Sequence, residues 1–122
     1  MEIVVIVCLA ASALIHLLPL IGALGPSQVA RMYDVTVEGA DLTVLLVHRA
    51  FLFGLLAAAL IAATSCEAAR PYVIGGVLVS DAAFLVIAAL NRGLNSKMKR
   101  VVRADVISIV LLVVAGVADL AR

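Results

Sequence analysis

Residues 42–63 read LTVLLVHRAFLFGLLAAALIAA, an apolar run of membrane-spanning length that carries the ionisable pair His48-Arg49 inside it. About 20 apolar residues are enough to cross a ~30 Å hydrocarbon core. A guanidinium placed there costs about 3 kcal/mol, so such a residue faces a bundle interior and a partner. The rest of the chain must therefore supply other spans, and polar groups on them.

It does so. Of the 122 residues, 66% are hydrophobic and the mean hydropathy is +1.26, well above a soluble domain, where about half the residues are apolar. Four runs of spanning length occur, at approximately 3–24, 42–63, 71–90 and 101–120, and little remains outside them. The expected fold is an all-α integral membrane four-helix up-down bundle, a single membrane domain over 1–122. The first run has Glu2 where a secretory signal would have a positive leader, and it is long for a signal core, so it reads as a retained helix. A net charge of +1 gives no reason to expect nucleic acid as a partner. Cys8 and Cys66 lack metal-ligand spacing, so no metal site is expected, and both read as free thiols packed like small apolar residues.

In the first helix Cys8, Ser12 and His16 recur at i, i+4 and i+8, which places them on one stripe. Pro19 removes the bond to the carbonyl of Ile15 and predicts a bend just past the histidine. The polar connection 25–41 has room for a short amphipathic element, with Ser27 expected to cap a turn running to Met32 or Tyr33. Asp34, Glu38 and Asp41 follow, the last suited to a helix N-terminus. Such a loop reads either as a lid or as a plain solvated linker.

Pro71 opens the third span in the favoured first-turn position, and Gly75-Gly76, Ser80 and Asp81 lie at its middle. Asp81 needs a cation or a proton there. The next loop is basic (Arg92, Lys97, Lys99, Arg100). Together with Arg31 it outweighs Arg70 and Arg122 at the other end, so loops 25–41 and 91–100 are expected in the cytoplasm and both termini outside. In the last span Asp105, Ser108 and Leu112 share a stripe, while Arg103 lies elsewhere on the wheel and reads as snorkelling to headgroups or as a ligand contact.

At about 1.5 Å per residue, His48, Arg49, His16, Asp81, Asp105 and Ser108 all fall roughly 6 to 14 Å below the same membrane face. The candidate catalytic residues are therefore His48, Arg49, His16 and Asp81, with Ser12, Asp105, Ser108 and Arg103 as ligand contacts. Arg49 is expected to pair with Asp81 or Asp105, and the imidazoles to move a proton.

His16-Leu17-Leu18-Pro19, the stretch His48-Arg49-Ala50-Phe51-Leu52-Phe53-Gly54-Leu55-Leu56, and Arg100 to Asp105 (RVVRAD) give the chain a recognisable pattern over nearly its whole length. It resembles a group of short bacterial four-helix membrane proteins often mislabelled phosphopantetheine adenylyltransferase. True enzymes of that name are soluble α/β proteins with an H-x-G-H motif, which neither histidine here has. More loosely the chain is similar to DoxX-like and EXPERA-type membrane proteins, some of which handle quinones or sterols.

That likeness implies a bacterial inner membrane as the setting and a lipophilic quinone- or sterol-like ligand, bound or transformed by the polar layer; no cofactor is expected. Two alternatives stand beside it. One is an accessory or scaffold subunit, acting as a homo-oligomer or in a membrane complex, whose polar layer only fastens the bundle. The other is a b-type haem module with His16 and His48 as axial ligands. A small multidrug exporter would want a glutamate within its first helix, and Glu2 sits at the very end.

Overall fold

In the computed structural model, which describes residues 1–122, the chain is all helical. Helix α1 (Glu2–Leu17) passes into a 3-10 segment, Leu18–Leu24. Four further helices follow: α2 (Pro26–Tyr33), α3 (Ala40–Ser65), α4 (Arg70–Leu90) and α5 (Ser96–Leu120), with a one-turn 3-10 segment at Glu67–Ala69. Four stretches are long and apolar enough to cross a membrane, Glu2–Leu24, Ala40–Ser65, Glu67–Leu90 and Ser96–Leu120. They form the expected up-down bundle of a multi-pass membrane protein. Only 22 of 122 residues are buried, and Leu14, Leu45, Val79 and Val110 are among the many large apolar side chains on the outside. An exterior of that kind is matched to acyl chains, since lipid imposes no cost on exposed leucine.

The spans overrun the apolar runs at their ends, where good helix formers and caps carry them on. Asn95 is the clearest case: its side chain accepts from the Met98 amide at 2.8 Å, so α5 starts at Ser96, among lysines, five residues ahead of the apolar run. Asp41 does fall in the first turn of α3. The 3-10 winding from Leu18 onward is the local answer to Pro19, which offers no amide to an α-type bond.

α2 is the anticipated short amphipathic element, but Ser27 does not cap it. Gly25 occupies the N-cap with no side-chain bond, and Pro26 takes the first position. Its far end closes at Asp34 in the left-handed conformation (φ 51°). α2 is fastened across the end of the bundle through its main chain. Asn95 Nδ2 donates to the carbonyls of Tyr33 (2.8 Å) and Asp34 (2.9 Å), and Lys97 Nζ donates to that of Arg31 (2.6 Å).

The apolar core lies toward the other end of the bundle. It comprises Val5, Cys8, Leu9 and Ala13 of α1, Leu60 and Ala63 of α3, Ile74 and Val77 of α4, and Leu112, Ala115 and Ala118 of α5. Cys8 packs there as expected, whereas Cys66 is exposed, because the turn that holds it has no core beneath it. A close approach where the 3-10 segment crosses α3 depends on Gly22. A Cβ there would lie 3.0 Å from the Ala50 Cβ and 3.1 Å from Val29 Cγ2. Gly22→Ala is therefore expected to destabilise the protein by about 1–3 kcal/mol through overpacking, read as earlier thermal loss of helical circular dichroism.

Candidate functional site

The stripe Cys8, Ser12, His16 faces inward on α1, and Asp105 with Ser108 does so on α5. Ser12 Oγ and Ser108 Oγ share a 2.8 Å hydrogen bond that ties the two helices at mid-height. One turn further along, His16 Nδ1 lies 2.8 Å from the Ser12 carbonyl, and Nε2 lies 2.8 Å from Asp81 Oδ1 of α4. A carbonyl only accepts, so Nδ1 carries a hydrogen and donates it. The contact between Nε2 and Oδ1 then holds one proton, as imidazolium with carboxylate or as neutral imidazole with carboxylic acid. Ring and carboxyl are buried at 1% and 2% exposure. The other carboxyl oxygen, Asp81 Oδ2, is buried with no hydrogen-bond partner.

The expected ion pair of Arg49 with Asp81 or Asp105 does not form; Asp81 takes His16 instead. Arg49 is held among aromatic rings, its guanidinium carbon 4.7 Å from the centre of Phe53, 5.6 Å from Phe84 and 5.8 Å from Tyr33. Distances below about 6 Å make these cation–π contacts. Its one hydrogen bond to another side chain runs to the Tyr33 hydroxyl at 3.5 Å. Most of its donors are left for something else.

Two cavities flank this cluster. A cleft of about 260 Å³ between α3 and α4 is lined by Arg49, Phe53, Asp81, Phe84 and Asp105. Its rim residues Leu52, Ser80 and Ile87 are exposed, so it opens sideways on the lipid-facing surface. A second cavity of about 230 Å³ lies under α2, bounded by Met32 and Tyr33 and containing His16, with Lys97 and Arg100 at its rim. We call it the vestibule. Phe53 and Asp105 are the two residues common to both cavities.

Of the residues singled out in the sequence, His16, Asp81, Asp105, Ser12, Ser108 and Arg49 are thus brought together. His48 is not. It is exposed and lines a surface groove with Thr43, Val44 and Phe51. Successive residues on a helix stand about 100° apart, so His48 turns outward when Arg49 turns in. The two histidines share no cavity, and no group of three or more metal-ligating side chains forms. Arg103 is also outside the cluster, exposed beside Leu85, Ala88 and Lys99.

A second polar cluster, not anticipated from the sequence, closes the end where both termini meet. Arg70 is 1% exposed. It donates to the carbonyls of Ala63 (2.8 Å) and Thr64 (2.9 Å), to Glu2 at 2.6 and 3.1 Å, and to Asp119 at 3.3 Å. Arg122 extends it to Glu67 at 2.9 Å and Asp119 at 3.2 Å. The hydrogen bond that Arg122 donates to the Glu67 carboxylate, with Glu2 and Asp119 alongside, raises the Arg122 pKa above its already high value. The signal for this cluster was topological: in an up-down bundle Glu2, Arg70 and Asp119 all fall at one end.

The chain matches no protein-family model, no curated protein and no solved structure. The functional reading accordingly rests on the geometry of the two cavities and the side chains between them.

Proposed function

We propose that this multi-pass membrane protein binds a small lipophilic molecule, quinone- or sterol-like, which enters the α3–α4 cleft from the bilayer and turns its polar end inward. The observation that carries this is the polar side of a cleft whose other walls are apolar: Arg49, with most of its donors unused, stands in the same lining as Asp81, whose Oδ2 is a buried acceptor without a donor. Orphaned buried acceptors are rare and costly. Oδ2 is covered, so a small turn of the Asp81 carboxyl toward the cleft that it lines brings it to a hydroxyl on a bound molecule, while Arg49, short of acceptors, would take a carbonyl or hydroxyl oxygen on the same head group. The walls Leu52, Leu56, Phe84 and Ile87 suit a ring or hydrocarbon body. The setting we favour is a bacterial inner membrane with the α2 end in the cytoplasm, in keeping with its basic residues.

The test is equilibrium binding of decylubiquinone and of cholesterol to the purified protein in nanodiscs, scored against empty discs. One of them binds the wild type, and Arg49→Met and Asp81→Asn each weaken it by about tenfold or more, the worth of one charge-assisted hydrogen bond. Arg49→Met leaves the melting temperature unchanged. Binding of neither probe, with no lipid-like molecule retained in native mass spectrometry, would instead leave the layer as a fastening of the bundle in a scaffold subunit.

A further inference from the structure

Building on that reading of the cleft, we infer that Asp105 is the proton exit of the site, and that the ligand carries a weakly acidic hydroxyl, of the phenol, enol or quinol kind. Three observations lead there. First, His16 is not a through-relay. Its Nδ1–H is committed to the Ser12 carbonyl, which takes no proton, so the ring exchanges protons only at Nε2, and only with Asp81. Second, Asp105 is the single ionisable side chain that borders both the cleft and the vestibule, and it is 5% exposed with no hydrogen bond of its own to another residue. Third, the vestibule reaches the basic end of the bundle at Lys97 and Arg100, whereas the cleft opens on lipid, where a released proton has no acceptor.

The proton balance is simple. The ligand O–H bond breaks as its proton passes to Asp81 Oδ2, and the ligand oxyanion is left facing Arg49. The Oδ2–H bond then breaks as the proton moves to the Asp105 carboxylate, directly or through one water. Asp105 gives it up to water in the vestibule. No electron is transferred, and the proton held between His16 and Asp81 is conserved throughout, which keeps Asp81 oriented. The groups facing Asp105 are Asp81 from α4, His16 from α1 and Arg49 from α3, with Tyr33 of α2 and Lys97 and Arg100 of α5 on the vestibule side. Two carboxylates, one fixed cation and one retained proton leave the cleft close to neutral, a setting that a neutral phenol enters and from which its proton is readily lost.

The probe is 4-dodecyl-2-nitrophenol, whose phenolate is coloured, mixed with protein in nanodiscs in a stopped-flow spectrometer and scored against empty discs. In the wild type the bound phenol ionises rapidly. Asp105→Asn slows the appearance of phenolate about tenfold or more, the scale of a lost general base, and Asp105→Glu restores it. Loss of the Asp105 charge by itself favours the phenolate, so in Asp105→Asn the final phenolate fraction equals or exceeds that of wild type while its appearance slows, a combination that removal of a merely local charge does not give. Ala104→Cys in a Cys66→Ser background, modified with a water-soluble methanethiosulfonate, plugs the vestibule and produces the same slowing. Unchanged kinetics in Asp105→Asn with binding intact overturns the inference and spares the cleft. An altered phenolate fraction at unchanged rate also overturns it, since Asp105 is then only a local charge. Fast ionisation in the plugged protein overturns the route. No binding of the probe to the wild type removes the cleft reading and this inference together.

Discussion

His16→Leu alone is expected to lower stability by about 3–5 kcal/mol, and adding Asp81→Leu to recover most of that loss. Removing one member of a buried charged pair leaves the other bare in a medium that cannot solvate it. The loss falls at the upper end here because Asp81 Oδ2 already lacks a donor; without the imidazole, neither oxygen has one. Two leucines in place of the pair restore packing and leave no polar group stranded, which is commonly neutral or stabilising. The Ser12–Ser108 hydrogen bond is untouched and still joins α1 to α5. Thermal unfolding in detergent, followed by circular dichroism for wild type, both single variants and the double variant, gives the coupling directly. The double variant is stable and binds nothing in the cleft. Equal stability of His16→Leu and wild type would show that the pair does not hold α1 to α4.

Arg70→Met should cost about 2–3 kcal/mol by a different route. The methionine keeps much of the buried volume, so the loss is polar: the carbonyls of Ala63 and Thr64 and the side chains of Glu2 and Asp119 lose their shared donor. Arg122 holds Glu2 and Asp119 from outside but reaches neither carbonyl. Ligand affinity in the cleft stays within about threefold of wild type, because this cluster and the His16 cluster occupy opposite ends of the bundle. A chain that melts at the wild-type temperature would show that water replaces the guanidinium without loss.

The two clusters also mark what the residues disclosed in advance. Helical spacing was enough to put Ser12 with His16 and Asp105 with Ser108 on inward stripes, because a stripe is a property of one helix. Partners across helices are a matter of ångströms, and there the expectation for Arg49 failed. Charge alone predicts an acidic partner, but Phe53 stands four residues on, on the same face, and Phe84 three residues after Asp81, so rings surround the guanidinium before a carboxylate reaches it. Depth misled for His48, since equal height in the membrane says nothing about direction. Arg70 looked like a loop charge next to Pro71; its burial comes from the convergence of three helix ends, visible only once the bundle is assembled.

The way α2 is clasped has an evolutionary corollary. All three of its ties to the start of α5 end on main-chain carbonyls, those of Arg31, Tyr33 and Asp34, and none on an α2 side chain. Every residue type presents that same oxygen, so Met32 over the vestibule is free to be exchanged without breaking these three bonds, whereas Tyr33, whose hydroxyl accepts from Arg49, is not. Selectivity at the mouth can therefore drift from one descendant to another while the closure itself is inherited unchanged.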